Sequence, residues 1–320
     1  MAVPFSTLVT TAIENRSSEV NDALSKSNAL LFVLRKNGGI KSFDGGRTIT
    51  TPIEYSEPGA NAQSYSGYDV LNTNRGEHLT MAEFSIAQYA TSISASGLEI
   101  AQNSGPSQII DLVESRVKAA EKALTNKISA DLYGDGSSAN SLTGIQAMLP
   151  TSATTGVYGG ISRVDNAWWR HTSTSGTALT SANIYDKITA TYLSLGRNDS
   201  ERPGVIVSCF DHYTKLISYM QALQRFEMVG DTKYTSVGFK SLQFMGTPIF
   251  LENNAFGASG MPADVSYFLN LDSVKLRPFR KDGYVRFDGA VAAQDADVKF
   301  MKWYGNLTCS NLALNGVLKG

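Results

Sequence analysis

The sequence predicts an α+β fold whose domains are discontinuous along the chain. Three observations carry that reading. Strand-type alternation brackets a polar loop, at residues 48–55 and again at 81–93. One unbroken helical stripe runs from 107 to 133, and short strands dominate from residue 242 onward, after an intervening α/β stretch.

With 320 residues the chain can build one large or two ordinary cores. Its charged fraction of 18% against 42% apolar residues fits a surface that partners cover. The net charge is −1, and the densest basic stretch, Lys275–Lys281, is interrupted by Pro278. It reads as a solvated strand end, because a phosphate-gripping protein shows basic excess or clusters. Cys209 and Cys309 form no CxxC pair, Met1–Phe5 lacks the marks of a secretory signal, and the longest apolar run, Ala29–Leu34, is too short for a bilayer. The expectation is a soluble chain made in a reducing cytoplasm, with no membrane partner. Asn-x-Ser/Thr matches at Asn15, Asn198 and Asn306 carry no weight without secretion.

Residues 6–30 are polar, with a thin stripe of Leu8, Ala12, Val20 and Leu24, and predict a weak helix or an extended arm, bounded at 1–37, that gains order by lying on something else. In 38–100, glycine pairs at 38–39 and 45–46 bracket a turn, and Ile49, Thr51, Ile53 and Tyr55 then alternate. Pro52 cannot donate to a ladder, which makes this an edge strand. After a polar stretch holding Tyr65 and Tyr68, Ala82, Phe84 and Ile86 share one side, and Tyr89, Thr91 and Ile93 continue after a phase slip, the sign of a β-bulge. The result is a long two-stranded hairpin. Isolated hairpins are marginal in water, so its residues Ile49, Ile53, Tyr55, Tyr65, Tyr68, Phe84, Ile86 and Tyr89 are expected to lie on another subunit.

Within 101–150, Ser107 is the expected N-cap of the long helix and Gly134 its C′ residue. Ile109, Val113, Val117, Ala120, Leu124, Ile128 and Leu132 form one apolar face, with Val113, Val117, Leu124 and Ile128 as core positions. Such a rod is about 40 Å long. In 151–270, a Gly/Ser/Thr-rich segment leads to a helix at 181–195 closing at Gly196, a buried strand Val205–Cys209, and a helix capped by Asp211. Further strands are expected at 242–244, 248–251, 267–271, 274–276, 284–287 and 298–303, those after 271 returning toward the long helix.

Cys209 with His212 is the nearest approach to a nucleophile and base, but Cys209 ends a buried-looking strand and buried thiols are inert. His78 and His171 lie far apart, so no metal triad is visible. Asp131-x-x-x-Asp135-Gly136 lacks the alternating ligands of a calcium loop, and the glycine-rich stretches match no phosphate fingerprint. Trp168, Trp169, Arg170 and His171 read as a buried anchor or a subunit contact rather than a base-stacking platform. No catalytic, cofactor-binding or metal-binding residue is assigned, and no cofactor is expected.

The succession Tyr133-Gly134-Asp135-Gly136, Gly144-Ile145, Tyr158-Gly159-Gly160-Ile161-Ser162-Arg163, Trp168-Trp169 and Trp303-Tyr304-Gly305-Asn306-Leu307-Thr308 with Asn311 and Leu312 resembles the major capsid proteins of tailed bacteriophages. The resemblance runs from about residue 37 to the C-terminus and lies in the order of elements more than in any one motif. It implies the Hong-Kong-97-type fold: an N-terminal arm (1–37), an extended E-loop (38–100), a peripheral domain with the spine helix (101–150), an axial domain (151–270), and strands returning to the peripheral domain (271–320). It further implies hexamers and pentamers in an icosahedral shell, made in the bacterial cytoplasm. The implied partners are further copies, a portal, a cement protein and double-stranded DNA held by weak contacts. Met1 lies about a hundred residues before the spine helix, from which a separate scaffolding protein is expected. One branch of the fold welds its shell through an E-loop lysine. Here no lysine lies between Lys41 and Lys118, so non-covalent closure is expected. The alternatives are an encapsulin-like compartment shell and a cysteine hydrolase using Cys209 and His212.

Overall fold

The computed structural model describes residues 28–55, 63–72, 77–96, 98, 106–138, 140–176, 178–196, 201–222, 242–252, 260–279, 284–289 and 296–320. Its elements, in chain order, are α1 (Ala29–Lys36), β1 (Ile49–Glu54), β2 (Leu79–Phe84), β3 (Ala87–Ser96), α2 (Pro106–Leu132), α3 (Ile145–Met148), β4 (Val157–Tyr158) and β5 (Ile161–Ser162). There follow a 3-10 turn (Ala167–Trp169), β6 (Thr172–Thr174), α4 (Ile184–Leu195), β7 (Val205–Ser208), α5 (Phe210–Ala222), β8 (Leu242–Phe244) and β9 (Thr247–Leu251). Last come β10 (Val265–Leu269), β11 (Val274–Pro278), β12 (Tyr284–Gly289), β13 (Ala296–Cys309) and β14 (Gly316–Lys319).

Asn28 starts the described chain as a strong N-cap: its Oδ1 accepts the N–H groups of Leu30 at 2.9 Å and Leu31 at 3.2 Å. The apolar run behind it is a core helix, α1, with Ala29, Leu30, Leu31, Val33 and Leu34 buried. That corrects the expectation of an arm reaching residue 37. The rest of the arm, 1–27, lies outside the described residues.

β1 and β2 pair antiparallel from Ile49↔Phe84 to Glu54↔Leu79, with Pro52 opposite Met81. The chain then changes sheets. β3 pairs along β13, from Ala87↔Gly305 to Ser96↔Ala296. The expected single strand over 81–93 is therefore two strands, and the phase slip marks the break at Ser85 and Ile86 instead of a bulge. Buried Asn306 stabilises the break, its Nδ2 donating to Ser85 O at 2.7 Å and to Thr143 Oγ1 at 3.1 Å. A backbone carbonyl freed from a ladder is satisfied by such a partner.

β13 is the axis of a four-stranded sheet. β3 lies along one side, while β12 and β11 follow each other along the opposite side. The helix α2 packs on β3. Val117, Leu124 and Ile128 are buried as expected, as are Ala120 and Leu132. Val113 sits in the opening turns of α2, whose side chains lie outside the described residues. Pro106 takes the first helical position, so Ser107 is inside the helix and not its cap. At the other end, Tyr133 N–H and Gly134 N–H bond back to Ala130 O and Asp131 O, a tightened last turn. The left-handed residue is Gly136 (φ 73°), not Gly134. Gly144 crosses this helix end so closely that a Cβ would stand 2.5 Å from Asp131 O and Gly134 O, which admits only glycine.

The third sheet has the order β6-β14-β10-β7-β9-β8. One face, with Ile206, Ile249, Phe268 and Leu318, lies under α4 and α5, which contribute Ile184, Ile188, Tyr192, Tyr213 and Leu216. The opposite face, with Val205, Val207, Phe250, Tyr267 and Val317, joins the main core together with the end of α2. Burial on both faces explains why all of β7 and β10 is buried and why neither strand alternates in sequence. The start of α5 differs from expectation: Cys209 Sγ accepts the His212 N–H at 3.5 Å, while Asp211 sits in the first turn and pairs with Lys215.

Candidate assembly surface

The hairpin of β1 and β2 has two unlike faces. Ile49, Ile53, Ala82 and Phe84 are buried on the inner one. Their partners come from β4, β5 and the 3-10 turn: Phe84 meets Tyr158 edge-on at 5.2 Å, and Tyr55 stacks on Trp168 at 4.9 Å. Gly159, left-handed at φ 60°, lets the backbone approach, since a Cβ there would lie 3.0 Å from Ala82 Cβ; its carbonyl accepts the Glu83 N–H at 3.0 Å. Trp169 is fully buried with Nε1 donating to Tyr158 O at 3.0 Å, which makes it the expected internal anchor. Arg163 holds this segment by donating from Nη2 to Ala147 O and Met148 O. Burial pulls its guanidinium below the usual arginine range.

The residues expected at an inter-subunit contact fall into different environments within the chain. Ile49, Ile53 and Phe84 are committed to the chain's own core because the segment 157–169 covers them. Tyr89 is buried under α2: its hydroxyl donates to Asp131 Oδ2 at 2.7 Å and accepts the Leu142 N–H at 2.8 Å. Burial, with Asp131 beside it, pushes its phenol upward. Tyr55 and Ile86 are half-buried. Tyr65 and Tyr68 stand in solvent, and the outer face adds Leu79 and Met81, exposed at 61% and 63%. Leu79 and Met81 form the alternate set of the same period-two strand, opposite in face to Ala82 and Phe84. Beyond them, the turn at 66–69 is closed by Asp69 N–H to Ser66 O and by Ser66 N–H to Asp69 Oδ2, both 2.8 Å. It presents Tyr68, Val70 and Leu71, three exposed apolar side chains next to one carboxylate.

The Cys209–His212 pair does not form a catalytic dyad. The imidazole Nδ1 faces Ser266 Oγ at 2.8 Å, which in turn bonds Ser208 Oγ at 2.6 Å. Burial lowers the His212 pKa to about 4 and pushes the Cys209 thiol up, so the pair stays neutral. His171, also lowered to about 4 by burial, is held by Pro150 O. Cys309 is pushed up to about 12 by burial. Among the described residues no group of three His, Cys, Asp or Glu could hold a metal, and no helix is long and apolar enough to cross a membrane.

One buried carboxyl ties three regions together. Glu252, just after β9, accepts Tyr133 Oη–H at 3.1 Å beyond the end of α2 and also accepts the N–H of Ala29 at the start of α1. Burial raises its pKa to about 7.

Solved structures share this arrangement over nearly the whole chain. A capsid subunit of cyanophage A-1(L) superposes with a TM-score of 0.63 at 15% identity, covering 90% of this chain and 91% of its own. The chain has the capsid fold. A Gordonia phage Cozz structure gives 0.54 at 12% identity, over 90% of this chain and 85% of that one. The holo-SrpI encapsulin complex of Synechococcus elongatus gives 0.51 at 9% identity, over 87% and 83%. The fold is thus the Hong-Kong-97-type α+β fold that the sequence order implied. In its terms the β1–β2 hairpin occupies the place of the E-loop and α2 that of the spine helix. No protein-family model and no curated protein matches the sequence.

Proposed function

We propose that the chain is a structural shell subunit, the major capsid protein of a tailed bacteriophage, building an icosahedral shell of hexamers and pentamers around double-stranded DNA. The observation that carries this reading is the capsid fold over about nine-tenths of both chains, combined with a hairpin whose tip and outer face leave apolar side chains in solvent. The partners are chiefly further copies of itself, then a portal, a separate scaffolding protein and a cement protein. DNA contact is weak and non-specific, as a net charge of −1 suits. The role is not enzymatic: the one Cys–His candidate is buried and points its ring elsewhere. The encapsulin match favours a second reading, a compartment shell enclosing protein cargo.

Electron microscopy of the expressed protein tests the first claim, with closed shells or capsomer rings as the expected images and dispersed monomers at high concentration as the refuting ones. Nuclease-protected DNA inside particles from the native source separates the phage reading from the compartment reading.

A further inference from the structure

The dipeptide Asn-Gly occurs twice in the chain, at Asn37–Gly38 and at Asn315–Gly316. A glycine after asparagine leaves the side-chain amide open to attack by the glycine's backbone nitrogen, because no Cβ screens the approach. The fold gives the two pairs opposite surroundings. Asn315 is fully buried: its Nδ2 donates to Asn311 O at 2.7 Å and Ser273 Oγ at 2.9 Å, and its Oδ1 accepts the Asn270 N–H at 2.8 Å. Gly316 belongs to β14, and a Cβ there would stand 2.8 Å from Leu195 Cδ1. Neither group can turn toward the other without opening the six-stranded sheet.

Asn37 and Gly38 close α1 at its C-terminal end. Asn37 is half-buried, and Gly38 is exposed and left-handed at φ 66°, with open space where a Cβ would be. The Asn37 side chain is held by Nδ2 donating to Val33 O at 2.9 Å. The Gly38 N–H reaches Arg35 O at only 3.4 Å, so the nitrogen that must attack is loosely engaged. Arg35 and Lys36 add positive charge to the same turn, which favours the deprotonated amide. Helix ends fray, and bringing Gly38 N onto Asn37 Cγ requires only the last turn of α1 to open.

We propose that Asn37–Gly38 is a site of spontaneous self-modification by which the chain ages, and that the fold withholds the same chemistry from Asn315–Gly316. Gly38 N attacks Asn37 Cγ and closes a succinimide ring. The Cγ–Nδ2 bond breaks, and the amide nitrogen leaves as ammonia with the proton from Gly38. Water then opens the ring at either carbonyl, giving an aspartyl or an isoaspartyl residue. Either product replaces the donor to Val33 O with a carboxylate at the negative end of the helix dipole. The isoaspartyl form also adds a backbone carbon shortly before Gly39, whose N–H bonds Leu34 O at 2.6 Å and whose carbonyl accepts the Leu276 N–H at 2.8 Å. Ageing thus loosens the joint between α1 and β11. The inference is independent of the shell reading.

The test incubates folded full-length protein in mildly alkaline heavy-oxygen water, beside a urea-unfolded sample, and maps peptides by mass spectrometry. In the folded sample the Asn37 peptide should gain a labelled acid and split into aspartyl and isoaspartyl forms. It should do so at least about tenfold faster than the Asn315 peptide, whose reaction needs a larger opening. In urea the two should convert at similar rates. Asn37→Asp, the product of one branch, should raise hydrogen exchange across α1 by roughly two- to fivefold and leave β14 unchanged. Three results overturn the proposal: Asn37 intact in folded protein while it converts in urea, equal rates at both sites in folded protein, or α1 exchange unmoved by Asn37→Asp.

Discussion

β7 and β2 are both short strands rich in apolar residues, yet they sit in opposite situations. All four residues of β7 are buried, because helices cover one face of its sheet and the main core covers the other. In β2 only Ala82 and Phe84 are buried, and Leu79 and Met81 face solvent. The six-stranded sheet is complete within one chain. The hairpin is covered on one face only, and its other face leaves Leu79 and Met81 in solvent. In the shell reading proposed above, cohesion and assembly fall on different faces of β2, so substitutions can strike one without the other.

The largest effect should come from the interior. Leu124→Asp places an unpaired charge under α2, where Leu124 is 3% exposed, at a cost of about 3–5 kcal/mol. The expected outcome is insoluble protein in a fractionated lysate. A soluble variant with native circular dichroism would break the comparison at its interior end.

Next is the two-sided sheet. Phe268→Ala, at 0% exposure in β10, removes packing against α4 and α5 and should lower unfolding stability by about 3–5 kcal/mol in urea titration. Assembly at low temperature should persist if the variant folds.

Glu252 gives a pH signature of intermediate size. Its folded pKa, about 7, lies above its ordinary value of 4.5. The folded state therefore binds the extra proton: stability is full below about 4.5 and is lost as pH rises through about 7. The shift corresponds to a ceiling of roughly 3 kcal/mol. Urea midpoints should fall between about pH 5 and pH 8, and Glu252→Gln should flatten that slope. An equally steep slope in Glu252→Gln would assign the pH dependence to another group.

The smallest effect on the monomer belongs to the hairpin's outer face. Met81→Asp should change unfolding stability by less than about 0.5 kcal/mol while sharply reducing particle formation in light scattering. Particles should also rest on non-covalent contacts, so boiling them in detergent without reductant should release one band near 34.5 kDa.

The elements that were legible in the sequence share a cause. α2 runs 27 residues with one buried face, and a long helix exposed on one side writes its period plainly. α1 has eight residues with five buried, too short and too apolar for its period to distinguish helix from arm. β14 is buried on both faces, and β6, Thr172–Thr174, is a polar strand that exists because β14 pairs with it in parallel. No local pattern announces either. For the candidate surface, the hairpin's location was readable from alternation, but which of its faces is free was not. That depends on Tyr158, Trp168 and Trp169, more than seventy residues downstream of β2. The groove beside the base of the hairpin is assembled from segments around residues 43–48, 85–88, 279 and 304, a juxtaposition that only the fold creates.

The position of β13 also governs when the molecule can come into being. It pairs with β3 some two hundred residues earlier and with β11 and β12 beside it, and β14 then enters the six-stranded sheet between β6 and β10. Two sheets thus wait for strands that lie two hundred or a hundred residues further along the chain than their earliest partners. Contacts of such long sequence separation form slowly and late, after their loop-closure entropy has been met. A nascent or truncated chain lacking residues 296–319 has neither sheet closed, and so has no stable platform from which to extend its hairpin.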